Sequence, residues 1–151
     1  MKRVISFLSV CLMILSFPAI CFANTENMSI EYFEDGSYCI TIIGEGISTR
    51  ASSNTVTKPK TANYYDSNGN LQWSVTITGT FNYNGSSASC TNASVSYRIY
   101  NDNWKVTESK ASRSGATAKG EFTVKKYLLG VPIKTINKTV TLTCSKDGNF
   151  S

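Results

Sequence analysis

The sequence predicts an all-β fold: a small antiparallel β-sandwich preceded by an acidic N-terminal hairpin. Three observations lead there. Beyond its first residues the chain is rich in Thr, Ser, Tyr, Val, Ile and Asn and poor in Leu and Ala, the composition of strands. No stretch beyond the N-terminus sustains the apolar period of about 3.6 residues that a helix needs. Alternation is instead explicit. Leu71, Trp73, Val75, Ile77, Gly79, Phe81 and Tyr83 fall on one face, and Gln72, Ser74, Thr76, Thr78, Thr80 and Asn82 on the other. Side chains alternate along a strand, so 71–83 reads as one long strand with the first row buried and Thr76, Thr78 and Thr80 exposed. Gly79 would mark a bulge or bend in it.

The first element is an export signal. Lys2 and Arg3 precede an apolar run from Val4 to Phe17, Pro18 breaks it, and Cys21-Phe22-Ala23 sets up a cut between Ala23 and Asn24. Pro18 and the short apolar core argue against a membrane anchor. Bulky Ile20 before Cys21 argues against lipidation. Cleavage leaves 151 − 23 = 128 residues, the length of one domain. The expected location is secreted or cell-surface.

Residues 24–45 follow as an acidic hairpin segment. They hold Glu26, Glu31, Glu34, Asp35 and Glu45 and no Lys or Arg, and Asp35-Gly36 between alternating apolar residues signals the turn. This hairpin is expected to pair with the sheet or pack on a basic face, in preference to being a removable pro-segment cut near Arg50. Residues 46–61, GISTRASSNTVTKPKT, are small, polar and Pro-containing, and read as a linker. The sandwich then occupies 62–151. Its turn signals are Asp66–Asn70 (DSNGN), Asn84-Gly85 and Asn101–Asn103. Its further strands carry Val95, Tyr97 and Ile99; Trp104 and Val106; Phe122 and Val124; and Val140 and Leu142.

Cys11 and Cys21 leave with the signal, so Cys39, Cys90 and Cys144 remain. Exported chains meet an oxidising space. Cys144 shares the inward parity of Val140 and Leu142, and Cys90 that of Ala88, so a Cys90–Cys144 disulfide is expected and Cys39 is left over. The competing pair is Cys39–Cys144. A loop of ~54 residues closed by Cys90–Cys144 would contribute roughly 4 kcal/mol. The order Cys90, Trp104, Cys144 is immunoglobulin-like only by loose analogy. Leu142 stands where a tyrosine corner would place Tyr, and the KDGNFS after Ser145 looks too short for a closing strand.

Several chemistries are excluded. The chain has no histidine, which removes Ser-His and Cys-His nucleophiles and histidine-bound zinc. It has no Cys-x-x-Cys and no glycine-rich phosphate loop. DSNGN lacks the later glycine and glutamate of a calcium loop. No catalytic, cofactor or metal residue is therefore assigned. Beyond residue 45 the carboxylates are Asp66, Asp102, Glu108, Glu121 and Asp147, mostly in turns or charged surroundings, and a carboxylate-dependent hydrolase is the least favoured alternative.

From Gly46 onward 13 basic residues face 5 acidic ones. This charge favours an anionic partner such as a wall polymer, with glycans or proteins as alternatives. Lys105, Lys110, Arg113, Lys119, Lys125, Lys126, Lys134 and Lys138 are scattered without interleaved aromatics, so nucleic acid is not expected and a solvated face is the simplest account. The apolar segment KKYLLGVPIK reads as a turn and strand with Pro132 at a sheet edge, in preference to a membrane-touching loop.

The phrases YFEDGSYCITI, GNLQWSVTITGTFNYNGSSASCTNAS and KTVTLTCSKDG together resemble small, uncharacterised exported proteins of Gram-positive gut bacteria. The resemblance implies export and a β-rich fold and carries no activity. In a bacterial host the Asn-x-Ser/Thr sites at Asn27, Asn84, Asn92, Asn137 and Asn149 would bear no glycan. The expected function is a non-catalytic exported binding domain, with a cationic effector acting on membranes or competitor cells as the alternative.

Overall fold

The computed structural model describes residues 28–50 and 54–151; the signal peptide and its cut between Ala23 and Asn24 lie outside the described residues. Nine antiparallel strands form, and among the described residues there is no helix. They are β1 (Met28–Tyr32), β2 (Tyr38–Ile43), β3 (Ile47–Arg50), β4 (Asn54–Tyr65), β5 (Leu71–Tyr83), β6 (Ala88–Ile99), β7 (Trp104–Ser114), β8 (Thr117–Leu128) and β9 (Val131–Thr143). The larger sheet has the order β1-β2-β4-β5-β6, with β3 also beside β4, and the smaller one is β7-β8-β9. The two sheets stack into a β-sandwich.

The alternation in 71–83 produces a buried row as its period demands. Trp73, Val75, Ile77 and Phe81 are fully buried against Phe122 and Val124 of β8 and Val140 and Leu142 of β9. The outward threonines are half-buried, not exposed. β5 is central, so strands on both sides crowd them, and hydroxyl bonds run across the face from Thr57 to Thr80 (2.9 Å) and Thr61 to Thr76 (2.8 Å). Gly79 is not a bulge. A Cβ there would lie 2.4 Å from the Phe81 ring and 3.0 Å from the Ala118 Cβ of the other sheet, so its missing side chain lets the sheets close.

The bulge sits on the partner strand. Cys90 pairs with Phe81 and Asn92 with Thr80, leaving Thr91 as the extra residue. It shifts the parity of β6, so that Ala88 and Cys90 before it and Ala93, Val95 and Ile99 after it all turn toward the core.

Residues 46–61 are not a linker: they contain β3 and the first part of β4. β2 pairs with 60–65 and β3 with 54–57 on the same side of β4, and the Gly44-Glu45-Gly46 link lies between them. Pro59 has no N–H to donate. It sits opposite this interruption, where the Gly44 amide reaches the Pro59 carbonyl at 2.9 Å, so a proline is tolerated inside a central strand. Cβ atoms at Gly44 and Gly46 would strike the Pro59 ring (2.9 Å) and the Lys58 stem (2.5 Å), which requires glycine on both sides of the gap.

The immunoglobulin analogy fails on topology. A Greek key returns a late strand beside an early one, whereas here every pairing but β2–β4 joins strands consecutive in the chain, and β2–β4 skips only the short β3. The chain end still closes the sandwich. Thr143 and Ser151 exchange backbone hydrogen bonds, Cys144 bridges to Phe150, and the Phe150 ring packs edge-on to Phe81 at 5.3 Å.

Candidate functional site

Three places bring chemistry-bearing side chains together. The first lies where β9 faces the acidic hairpin. The inward parity of Leu142, Val140 and Ile136 runs back to Lys138 and Lys134, so both lysines point at the larger sheet. Lys134 Nζ pairs with Asp35 and donates to the Tyr64 hydroxyl (2.8 Å), and Tyr64 donates to Ser37 Oγ (2.8 Å). Lys138 pairs with Glu31 at 2.7 Å, its side chain only 13% exposed. The acidic hairpin thus packs on basic residues, as its charge suggests. Hydrogen bonds from Lys134 and Ser37 hold the Asp35 carboxyl well below the ordinary range, and bonds to Asp35 and Tyr64 outweigh burial and push Lys134 up. Lys134 stays protonated, so it cannot act as a base for Ser37. The cluster joins the two sheets and has no spare acid or base.

Its pH dependence follows. Asp35 has a folded pKa below its unfolded value, so the stability it contributes is present above about pH 4 and fades as pH falls below that range. The pair is partly exposed and worth at most about 1 kcal/mol. Asp35→Asn should lose that increment in urea unfolding at neutral pH and show a smaller deficit at about pH 2, where Asp35 is losing its advantage. An equal deficit at both pH values would refute the assignment.

The second place is the outer face of the small sheet. Glu108, Lys110, Glu121, Thr123 and Asn137 line a shallow cleft of about 340 Å³. Lys119 bonds Glu121 at 2.8 Å and lowers its pKa, opposite to what a general acid requires. Asp66 and Asp147 belong to turns. Asp66 accepts from the amides of Asn68 (3.0 Å) and Asn70 (2.8 Å), and Asp147 pairs with Lys146. Among the described residues no group of His, Cys, Asp and Glu is arranged to hold a metal.

The third is the thiol end. Cys39, Cys90 and Cys144 are all buried, none is bridged to another among the described residues, and burial raises each thiol pKa. Cys90 and Cys144 sit together. Their amides donate to the successive carbonyls of Gly115 (2.8 Å) and Ala116 (3.0 Å), and the charge of Cys90 further raises Cys144. Cys39 is far away. It pairs with Tyr64, which pairs with Trp73, whereas Cys90 pairs with Phe81. The eight steps along β5 from Trp73 to Phe81 span roughly 26 Å, beyond any disulfide. Lys138 lies beside Cys39, and Cys144 is six residues further on, just past the end of β9, so Cys39–Cys144 is also out of reach.

At the opposite end from Cys90 the β8–β9 hairpin leaves the body. Pro132 lies on edge strand β9, paired with Tyr127, as its missing donor requires. Leu128 pairs with Val131, leaving Leu129 and Gly130 as a two-residue loop with φ of 49° and 83°. Positive φ at both positions is the mark of a type I′ turn. Leu128 (59%), Leu129 (97%), Val131 (61%) and Ile133 (54%) are exposed.

The sequence reading missed the inward lysines and the exposure of this tip. Strand parity, counted back from Cys144, was the available signal for the first. In comparisons with known proteins, no family model matches the chain, and no curated protein or solved structure shows significant similarity to it.

Proposed function

We propose that this protein is an exported, non-catalytic β-domain that binds a partner at the cell surface or outside the cell. The exposed apolar hairpin tip at Leu128–Ile133 carries this reading. Four large apolar side chains within six residues are left unpacked on a body whose charged clusters are internally satisfied. Export rests on the N-terminal signal pattern. A binding panel of anionic wall polymer, glycans and lipid vesicles tests the proposal. The protein should bind one class, and Leu128→Ser/Leu129→Ser should weaken that binding. Binding to none of them, or turnover of a panel member, would remove the reading.

Export would also bring Cys90 and Cys144 to a disulfide-bearing oxidant. Two successive thiol–disulfide exchanges would join the two sulfurs, and the oxidant's disulfide, broken in the process, would take up the two electrons and the two protons as a pair of thiols. The adjacent carbonyl anchors and shared burial support this pairing. Peptide mapping of the exported chain under non-reducing conditions should find an N-terminus at Asn24, a Cys90–Cys144 linked peptide and Cys39 as a free thiol. A linked Cys39 peptide would refute the pairing.

A further inference from the structure

We propose that the β8–β9 hairpin tip is a lipid-docking element, inserting Leu128, Leu129, Val131 and Ile133 into the interfacial layer of an anionic bilayer. The inference rests on the reading of the protein as a binding domain and names the partner class.

Four observations converge. Single exposed apolar residues are ordinary, but these four are contiguous around one turn, with Pro132 among them. The second observation is conformational. Leu129 is, among the described residues, the one non-glycine residue with positive φ. A type I′ turn is most easily made by Asn-Gly, and a leucine in the left-handed region is strained. At 97% exposure this leucine gains no packing in return. A costly residue that packs on nothing in its own fold is best explained by contact with something else.

The third is shape. The first β7–β8 pair is Trp104 with Lys126, and the hairpin runs on past it through Tyr127–Pro132 and Leu128–Val131. The Tyr127 amide still bonds the Asn103 carbonyl at 2.7 Å, so the tip projects about 7 Å beyond its last contact with that neighbouring turn. A convex apolar finger of that length matches the depth to which interfacial elements enter a bilayer, about 5–10 Å. The fourth is what stands behind it. Lys105 pairs with Lys125, Lys105 Nζ lies 5.4 Å from the Tyr127 ring, and Lys126 Nζ lies 5.9 Å from the Trp104 ring. Exposed Tyr100 carries Arg98 at 5.1 Å. Cations and tyrosines behind an apolar edge are the groups that settle among phosphates and headgroups. Asp66 and Asp102 occupy neighbouring turns, and Lys134 is held by Asp35, so the charge contribution is modest and apolar insertion dominates.

The test is co-sedimentation of the protein with sucrose-loaded vesicles of phosphatidylcholine and phosphatidylglycerol. The parent should bind. Leu128→Ser/Leu129→Ser should bind about tenfold more weakly or worse, while Ile47→Ser, which changes an exposed apolar residue on β3, should bind like the parent. Leu129→Asn supplies the favoured Asn-Gly turn. It should raise the unfolding midpoint and weaken vesicle binding, opposite signs that a merely structural role for Leu129 cannot give. Leu129→Trp should retain binding and show a blue-shifted emission component with vesicles. Equal binding by the parent and the serine double variant overturns the inference, as does a parent that ignores vesicles. If the parent ignores vesicles but binds wall polymer or glycan through the same tip, the lipid assignment falls and the binding-domain reading stands. If it binds nothing, both fall. Release of a trapped dye on binding would mark a permeabilising effector rather than a docking domain and would also overturn the inference.

Discussion

Replacing Trp73 by alanine should lower the unfolding free energy by about 3–5 kcal/mol, a large share of the roughly 5–15 kcal/mol that holds a domain of this size together. Trp73 is fully buried on the central strand. Its ring stacks on Tyr64 at 4.9 Å with the planes 7° apart and meets Trp104 at 6.2 Å with an interplanar angle of 64°. Truncation removes the transfer contribution of the indole, both aromatic contacts and the atoms filling the space between the sheets. Trp73→Phe should cost much less. It keeps most of the contact, and it removes an indole Nε1 that is buried with no hydrogen-bond partner among the described residues. Urea unfolding followed by far-ultraviolet circular dichroism measures both. A loss under about 1 kcal/mol for the alanine variant would show that the core is not organised around this ring.

Gly79→Val should be nearly as damaging, at about 3 kcal/mol, for the opposite reason. Even a lone Cβ would lie 2.4 Å from the Phe81 ring and 3.0 Å from Ala118. Phe81 cannot swing aside, because it is fully buried with Phe150 packed on its edge. The new side chain must therefore separate the sheets or displace the ring. Phe81→Leu in the same chain should return part of the loss, giving a coupling energy of about 1 kcal/mol or more in a double-mutant cycle. Simple additivity would mean that the substitution acts somewhere other than this contact.

These two positions also show what was legible. β5 could be read to its exact ends because every inward position is apolar or glycine. The turns at Asp35-Gly36, Asp66–Asn70 and Asn84-Gly85 were legible because they need particular residues, with φ of 78°, 81° and 82° at Gly36, Gly69 and Gly85. β4 was not. Its inward row reads Val56, Lys58, Lys60, Ala62, Tyr64, and two lysines and a proline conceal the alternation. Lys58 lies over the Phe150 ring at 5.1 Å, and burial lowers the pKa of Lys60, so these cations are partly covered for reasons that only the assembled fold supplies. The same holds for Lys134 and Lys138, whose acidic partners lie about a hundred positions earlier. The apolar tip was visible as a turn, but an apolar run looks the same in sequence whether it ends up packed or bare. That Cys90 and Cys144 face inward was readable from parity; the distance that isolates Cys39 was not, because it depends on strand registers.

The sequential order of both sheets has a consequence for how the molecule is completed as it is made. Each hairpin from β4 to β6, and then from β7 to β9, needs only the next strand in the chain, so pairing can follow synthesis from the N-terminus with short loops to close. The Asp35–Lys134 and Glu31–Lys138 pairs are different: they span 99 and 107 residues and cannot form until β9 has been made. The β1–β2 hairpin therefore keeps its carboxylates unpaired and exposed to water until then. Arrival of β9 supplies their cations and covers the face of the larger sheet, making the last strand the one that turns a series of local hairpins into a closed body.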